Sequence, residues 1–144
     1  MTHTGPAQFR QGIFVDSSAF FALATPRSDD FQAARRILGR AGTERLPLAT
    51  TNYIVAEAHA LLVNRVSRRA GVEFLDFLDG RTITVLWPGE PHFVAARQII
   101  HRYSDKSFSL TDAISFVVME QLGITTAFTF DRDFEQYGFA IAQP

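Results

Sequence analysis

Gly12-Ile-Phe-Val-Asp-Ser-Ser18 is the stretch on which the fold turns. Ile13, Phe14 and Val15 make a continuous apolar run rather than an alternating one, the pattern of a strand covered on both faces in a parallel sheet. Asp16 ends the run, and residues 17 to about 24 then carry a helical pattern. A buried strand that passes at once into a helix opens a strand–helix alternation, and the rest of the chain keeps it.

Pro26 and Ser28-Asp-Asp break and cap the chain before a second helix marked by Phe31, Ala34, Arg35 and Leu38, with Gly39 or Gly42 as its expected stop. Leu46-Pro-Leu-Ala49 is a short strand, held to an early or edge position by Pro47. Ile54, Ala58, Leu61, Leu62 and Arg65 lie along one stripe of a helix beginning near Thr51, and a further helix spans about 68–78. Thr82-Ile-Thr-Val-Leu86 alternates like a strand. Helices over about 91–103 and 109–122 follow, then a strand over 124–130, a helical turn over 131–136 and a last strand over 139–142. This order predicts an α/β fold, a three-layer α/β/α sandwich around a mainly parallel central sheet.

The chain has 144 residues, 47% of them apolar and 20% charged, and is expected to form one domain over 12–144. Residues 1–11 lack the basic and apolar regions of a signal peptide and are expected to be a flexible tail. No apolar run approaches the ~20 residues that span a bilayer. With no cysteine, there is no disulfide framework and no thiolate metal site or nucleophile; a cytoplasmic location is expected. Net charge is −1, which does not advertise a nucleic-acid partner, although all basic residues but Lys106 are arginine, the better shape for phosphate.

Four acids stand at telling places. Asp16 and Asp131 follow expected strands, whereas Glu57 and Asp112 fall within the first two turns of expected helices. In such sheets the functional crevice lies outside the carboxyl ends of the strands, so all four are expected on one rim. Each has a simpler reading. Asp16 can cap the helix after it, and Asp112 can form a capping box with Ser109. Glu57 can be a boundary residue in water, and Asp131 a turn residue with Asp133 capping the helical turn after it. Capping does not explain why all four should share a rim. Carboxylates gathered there repel one another unless protons or divalent cations offset their charge. An oxygen-only set suits Mg²⁺ or Mn²⁺ rather than Zn²⁺, and such a site can hydrolyse a phosphodiester. Ser17, Thr111 and Thr129 lie beside the acids as candidate supporting hydroxyls.

The ordered set Val15-Asp16-Ser17-Ser18, Thr51-x-x-Ile-Val-x-Glu57, Leu110-Thr-Asp112-Ala and Thr129-Phe-Asp131-Arg-Asp133-Phe134 resembles a PIN domain, in particular the ribonuclease toxins of the VapC type. The resemblance runs from about Gly12 to Ala142. It implies RNA cleavage with Mg²⁺ or Mn²⁺ held by Asp16, Glu57, Asp112 and Asp131, with Asp133 and Ser17 at supporting positions. It also implies a homodimer inhibited by a cognate antitoxin protein.

Other chemistries fit less well. Asp131-x-Asp133 is similar to a haloacid-dehalogenase nucleophile motif, but that motif opens a domain and here stands near the far end of the sequence. A receiver module would need paired acids after the first strand. No phosphate-binding glycine loop or Gly-x-Ser-x-Gly elbow is present, and the four histidines form no metal-binding pair. A PIN-like module that binds RNA or protein without cutting remains the alternative. Arg35-Arg36 and residues 65–69 are candidate backbone contacts for RNA, or solvated helix faces.

Overall fold

The computed structural model describes residues 7–144. Five parallel strands run in the spatial order β3-β2-β1-β4-β5: β1 Ile13–Val15, β2 Leu48–Thr51, β3 Thr84–Leu86, β4 Thr126–Phe128 and β5 Ala140–Ile141. Between them come α1 Ser17–Ala24, α2 Phe31–Thr43, α3 Asn52–Arg65, α4 Arg68–Asp79, α5 Glu90–Arg102, α6 Leu110–Leu122 and α7 Asp133–Tyr137. The chain walks outward from β1 to β3 and then returns past β1 to β4. Right-handed crossovers therefore set α1 to α4 on one face and α5 to α7 on the other. The packing agrees: α3 lies against α1 and α4, and α6 against α5 and α7. This is the expected three-layer α/β/α sandwich.

One apolar core joins both layers. The middle strand β1 is buried along its length, as its unbroken apolar run requires, whereas edge strand β3 is partly exposed. Pro47 stands just before β2, where its carbonyl accepts from Ile13 N at 2.8 Å and its missing N–H costs the ladder nothing. On the far face Phe116 stacks on Tyr137, with centroids 4.3 Å apart, and meets Phe134 edge-on at 5.1 Å. Phe134 also touches Phe14 of β1, so this cluster fixes α6 and α7 against the central strand.

Three details differ from expectation. Helix α2 runs through Gly39 and Gly42, and the residue that turns the chain is Arg45 at φ 55, where Leu46 N bonds back to Ala41 O. The expected tail reaches too far into the chain. Residues 1–6 lie outside the described residues, but Ala7–Phe9 form a 3-10 turn whose Phe9 ring is buried in the core. Strand β4 is shorter than 124–130, for a reason that belongs to the site. Among the described residues no helix is long and apolar enough to cross a membrane.

Candidate active site

Strand order reverses between β1 and β4, and a sheet of this kind opens its crevice at that point, beyond the strand ends. Extending the register of the paired strands sets Asp16 level with Thr51 on β2 and with Thr129 just after β4. Asp16 N still bonds to Phe128 O at 3.0 Å, so the acid is delivered by the sheet itself.

Asp16 occupies the N-cap position of α1, yet its side chain makes no capping bond. The carboxylate turns instead toward β4. Thr129 Oγ1 donates to Asp16 Oδ2 at 2.8 Å, and Ser18 Oγ donates to the same oxygen at 3.1 Å. The two hydroxyls lie 3.1 Å apart. They also collect the backbone leaving β4: Ser18 Oγ accepts from Phe130 N at 2.9 Å, and Thr129 Oγ1 accepts from Asp131 N at 3.1 Å. These side-chain bonds replace the ladder, which is why β4 ends at Phe128. Ser17 is more distant, with Oγ 3.5 Å from Asp16 Oδ1. The Thr111 carbonyl accepts from Ser115 Oγ at 2.8 Å, and Thr111 sits one residue from Asp112.

Asp16 is 1% exposed, and burial pushes its carboxyl from 3.8 up to about 6, with the Asp131 charge adding to the rise. The Thr129 and Ser18 hydroxyls pull the other way by stabilising the anion. Asp112 does cap its helix, accepting from Ser109 N at 3.1 Å while Ser109 Oγ accepts from Asp112 N at 3.0 Å. Burial and the charges of Asp133 and Asp16 nevertheless push it up to about 7. The simple reading of Asp112 is therefore correct and incomplete, because the capping carboxylate also faces the other acids. Asp131, which stands at the exposed rim, is raised by partial burial and by the charge of Asp133. Glu57 comes from α3. It lines a depression of about 410 Å³ together with Ser17, Ser18, Asp131 and Arg65.

The fold thus gathers Asp16, Asp112, Asp131 and Asp133 into one electrostatic cluster, with Glu57 across the adjoining depression. The salt bridges among the described residues reach none of them. Carboxylates that raise one another, without cysteine or histidine beside them, suit a hard divalent cation. No three of these side chains close on a common point by themselves, among the described residues. Mg²⁺ needs no such cage, since it keeps several waters and is held by one or two carboxylates plus substrate phosphate. The residue least visible beforehand is Ser18. Its signal is the second hydroxyl of Asp16-Ser-Ser, placed on the first turn of α1 beside the end of β4.

The PIN domain family model matches residues 13–140. The chain belongs to the PIN domain family. Over 132 residues, this PIN domain is 29% identical to the 23S rRNA-specific endonuclease VapC20 of Mycobacterium tuberculosis, in strains CDC 1551 and H37Rv alike; the match covers 92% of this chain and 98% of that protein. The crystal structure of M. tuberculosis VapC20, described as a sarcin–ricin loop cleaving toxin, superposes with a TM-score of 0.84, covering 92% of this PIN domain and 100% of that chain. FitAcB from Neisseria gonorrhoeae, at 16% identity, superposes with a TM-score of 0.64 over 92% of this chain and 97% of its own, a likeness of fold.

Proposed function

We propose that this PIN domain is a metal-dependent endoribonuclease that cleaves RNA phosphodiesters as the toxin of a toxin–antitoxin pair, inhibiting translation. The observation that carries the reading is the uncompensated acid cluster at the reversal of strand order. Asp16, Asp112 and Asp131 are all raised by burial and by neighbouring carboxylates, with no ion pair to offset them among the described residues. The buried charge of Asp16 is costly to keep without a ligand, and functional sites are where such cost is tolerated. Full-length likeness to an RNA-cleaving relative supports the same activity here.

Asp16, Glu57, Asp112 and Asp131 are the residues that would hold Mg²⁺ or Mn²⁺. The bound ion supplies Lewis-acid polarisation of the phosphodiester and offsets the acids' mutual repulsion. The chain's own residues do the positioning. Thr129 and Ser18 fix the rotamer of Asp16 and favour its ionised form, and the N-terminus of α6 holds Asp112 in place. Asp131 and Glu57 face the depression in which the RNA backbone would lie. Asp133, Ser17 and Thr111 are supporting residues, the first through its charge on Asp112 and Asp131. A cognate antitoxin, a second copy of this chain and a cytoplasmic location complete the reading.

Purified protein incubated with total cellular RNA tests it, with Mg²⁺ or Mn²⁺, with chelator, and with Asp16→Asn alongside. Discrete fragments that require both metal and Asp16 are expected, and the relative's specificity makes 23S rRNA the first substrate to inspect. The competing reading, a module that binds RNA or protein without cutting, draws on the open spacing of the acids. Folded, metal-supplied protein that leaves RNA intact would establish that alternative.

A further inference from the structure

Glu57, Leu61 and Arg65 recur at every fourth residue of α3, so they form one stripe along the helix, and all three line the depression that Asp131 lines from the turn after β4. The acids Glu57, Asp131 and Asp30 dominate its charge. Arg65 is the one basic residue among the described residues that lines it. Among the arginines of α2 and α4, Arg40 pairs with Glu44 at 2.9 Å, Arg69 with Glu73 at 2.8 Å, and Arg35 lies over the Phe31 ring, while Arg36 and Arg68 do not line the depression. Arg65 makes no ion pair among the described residues.

We propose that Arg65 binds a phosphate of the RNA strand neighbouring the scissile one, so that α3 carries both an acid of the active site and the anchor that sets the strand's path. This rests on the ribonuclease reading above. Eight residues of α-helix separate Glu57 from Arg65 by roughly 12 Å. Two turns along the helix from the acid, the guanidinium is placed to meet the phosphate next to the one at the acids. Its planar fork and fixed charge suit that contact better than a lysine would. An arginine in the last turn of a helix also eases the helix dipole, but that role has no dependence on RNA or on salt.

The test is binding of a short, fluorescein-labelled single-stranded RNA to the Asp16→Asn protein with Mg²⁺, followed by anisotropy across a salt series. Arg65→Gln in that background is expected to weaken binding about tenfold. It should also reduce the slope of log affinity against log salt by about 0.7, the contribution of one phosphate contact on a single strand. Arg65→Lys should retain the slope while weakening binding less. Arg69→Gln, whose partner is Glu73, should change neither. An unchanged slope in Arg65→Gln, or an equal loss in Arg69→Gln, overturns the assignment while leaving the nuclease standing. Absence of RNA binding by the Asp16→Asn parent, with no cleavage by wild type, overturns both.

Discussion

A carboxyl raised from 3.8 to about 6, as Asp16 is, destabilises the folded protein near neutral pH by about 3 kcal/mol relative to an unperturbed acid. Asparagine keeps the shape and most of the hydrogen bonding without the charge. Asp16→Asn is therefore expected to abolish cleavage while raising the melting temperature in chelator by roughly 5 °C, the opposed signs of a functional residue. Differential scanning calorimetry decides it; a lower melting temperature would mean that Asp16 is structural. Thr129 acts through Asp16. Its hydroxyl lowers the acid's pKa and ties Asp131 N to the same point. Thr129→Val keeps the volume and loses both bonds, so the acidic limb of the pH–activity profile should move to higher pH. Superimposable profiles would remove Thr129 from the positioning network.

Helix α3 is set against α4 with almost no clearance at Gly71. A β-carbon there would stand 2.8 Å from Val63 Cγ2 and 3.0 Å from His59 Nε2, both side chains of α3. Valine is stiff at χ1 and cannot swing away cheaply. Gly71→Ala should thus part the helices at a cost of about 1–3 kcal/mol and reduce activity as Glu57 shifts; urea unfolding and a cleavage assay read the two effects. The existence of α3 is legible in the sequence because Thr51, Ile54, Ala58 and Leu62 keep a helical period, and Thr51 Oγ1 does accept from Ile54 N at 3.2 Å. The β1 run and the positions of Asp16, Glu57 and Asp112 were legible for a related reason, since each marks the end or first turns of an element, whereas Asp131 lies in the turn between β4 and α7. What was not legible rests on an unusual backbone conformation or on distant partners. The turn after α2 uses Arg45 in a conformation usually left to glycine, and β4 is cut short by hydroxyls of Ser18 and Thr129 that lie far apart in the chain. Phe9 belongs to the core through contacts that no local pattern announces.

For the molecule as a whole, the raised acids set the sign of the pH dependence. Between about pH 4 and 7 the folded form binds more protons than the unfolded one, because Asp16 titrates near 6 and Asp112 near 7 against 3.8 unfolded. In chelator, stability should therefore increase as pH falls from about 8 toward 5, and a flat profile would deny that these carboxyls are strained. Mg²⁺ should supply the same relief at neutral pH, raising the melting temperature with its concentration in wild type but not in Asp16→Asn. The bond from Thr129 to Asp16 has a consequence for timing as well as for chemistry. It joins residues 113 positions apart, and β4 must pair with β1 before it can form. During synthesis Asp16 leaves the ribosome long before its partner exists, so a nascent chain carries the parts of a nuclease without the ability to act. Activity appears only after the chain has returned past β1 to form β4.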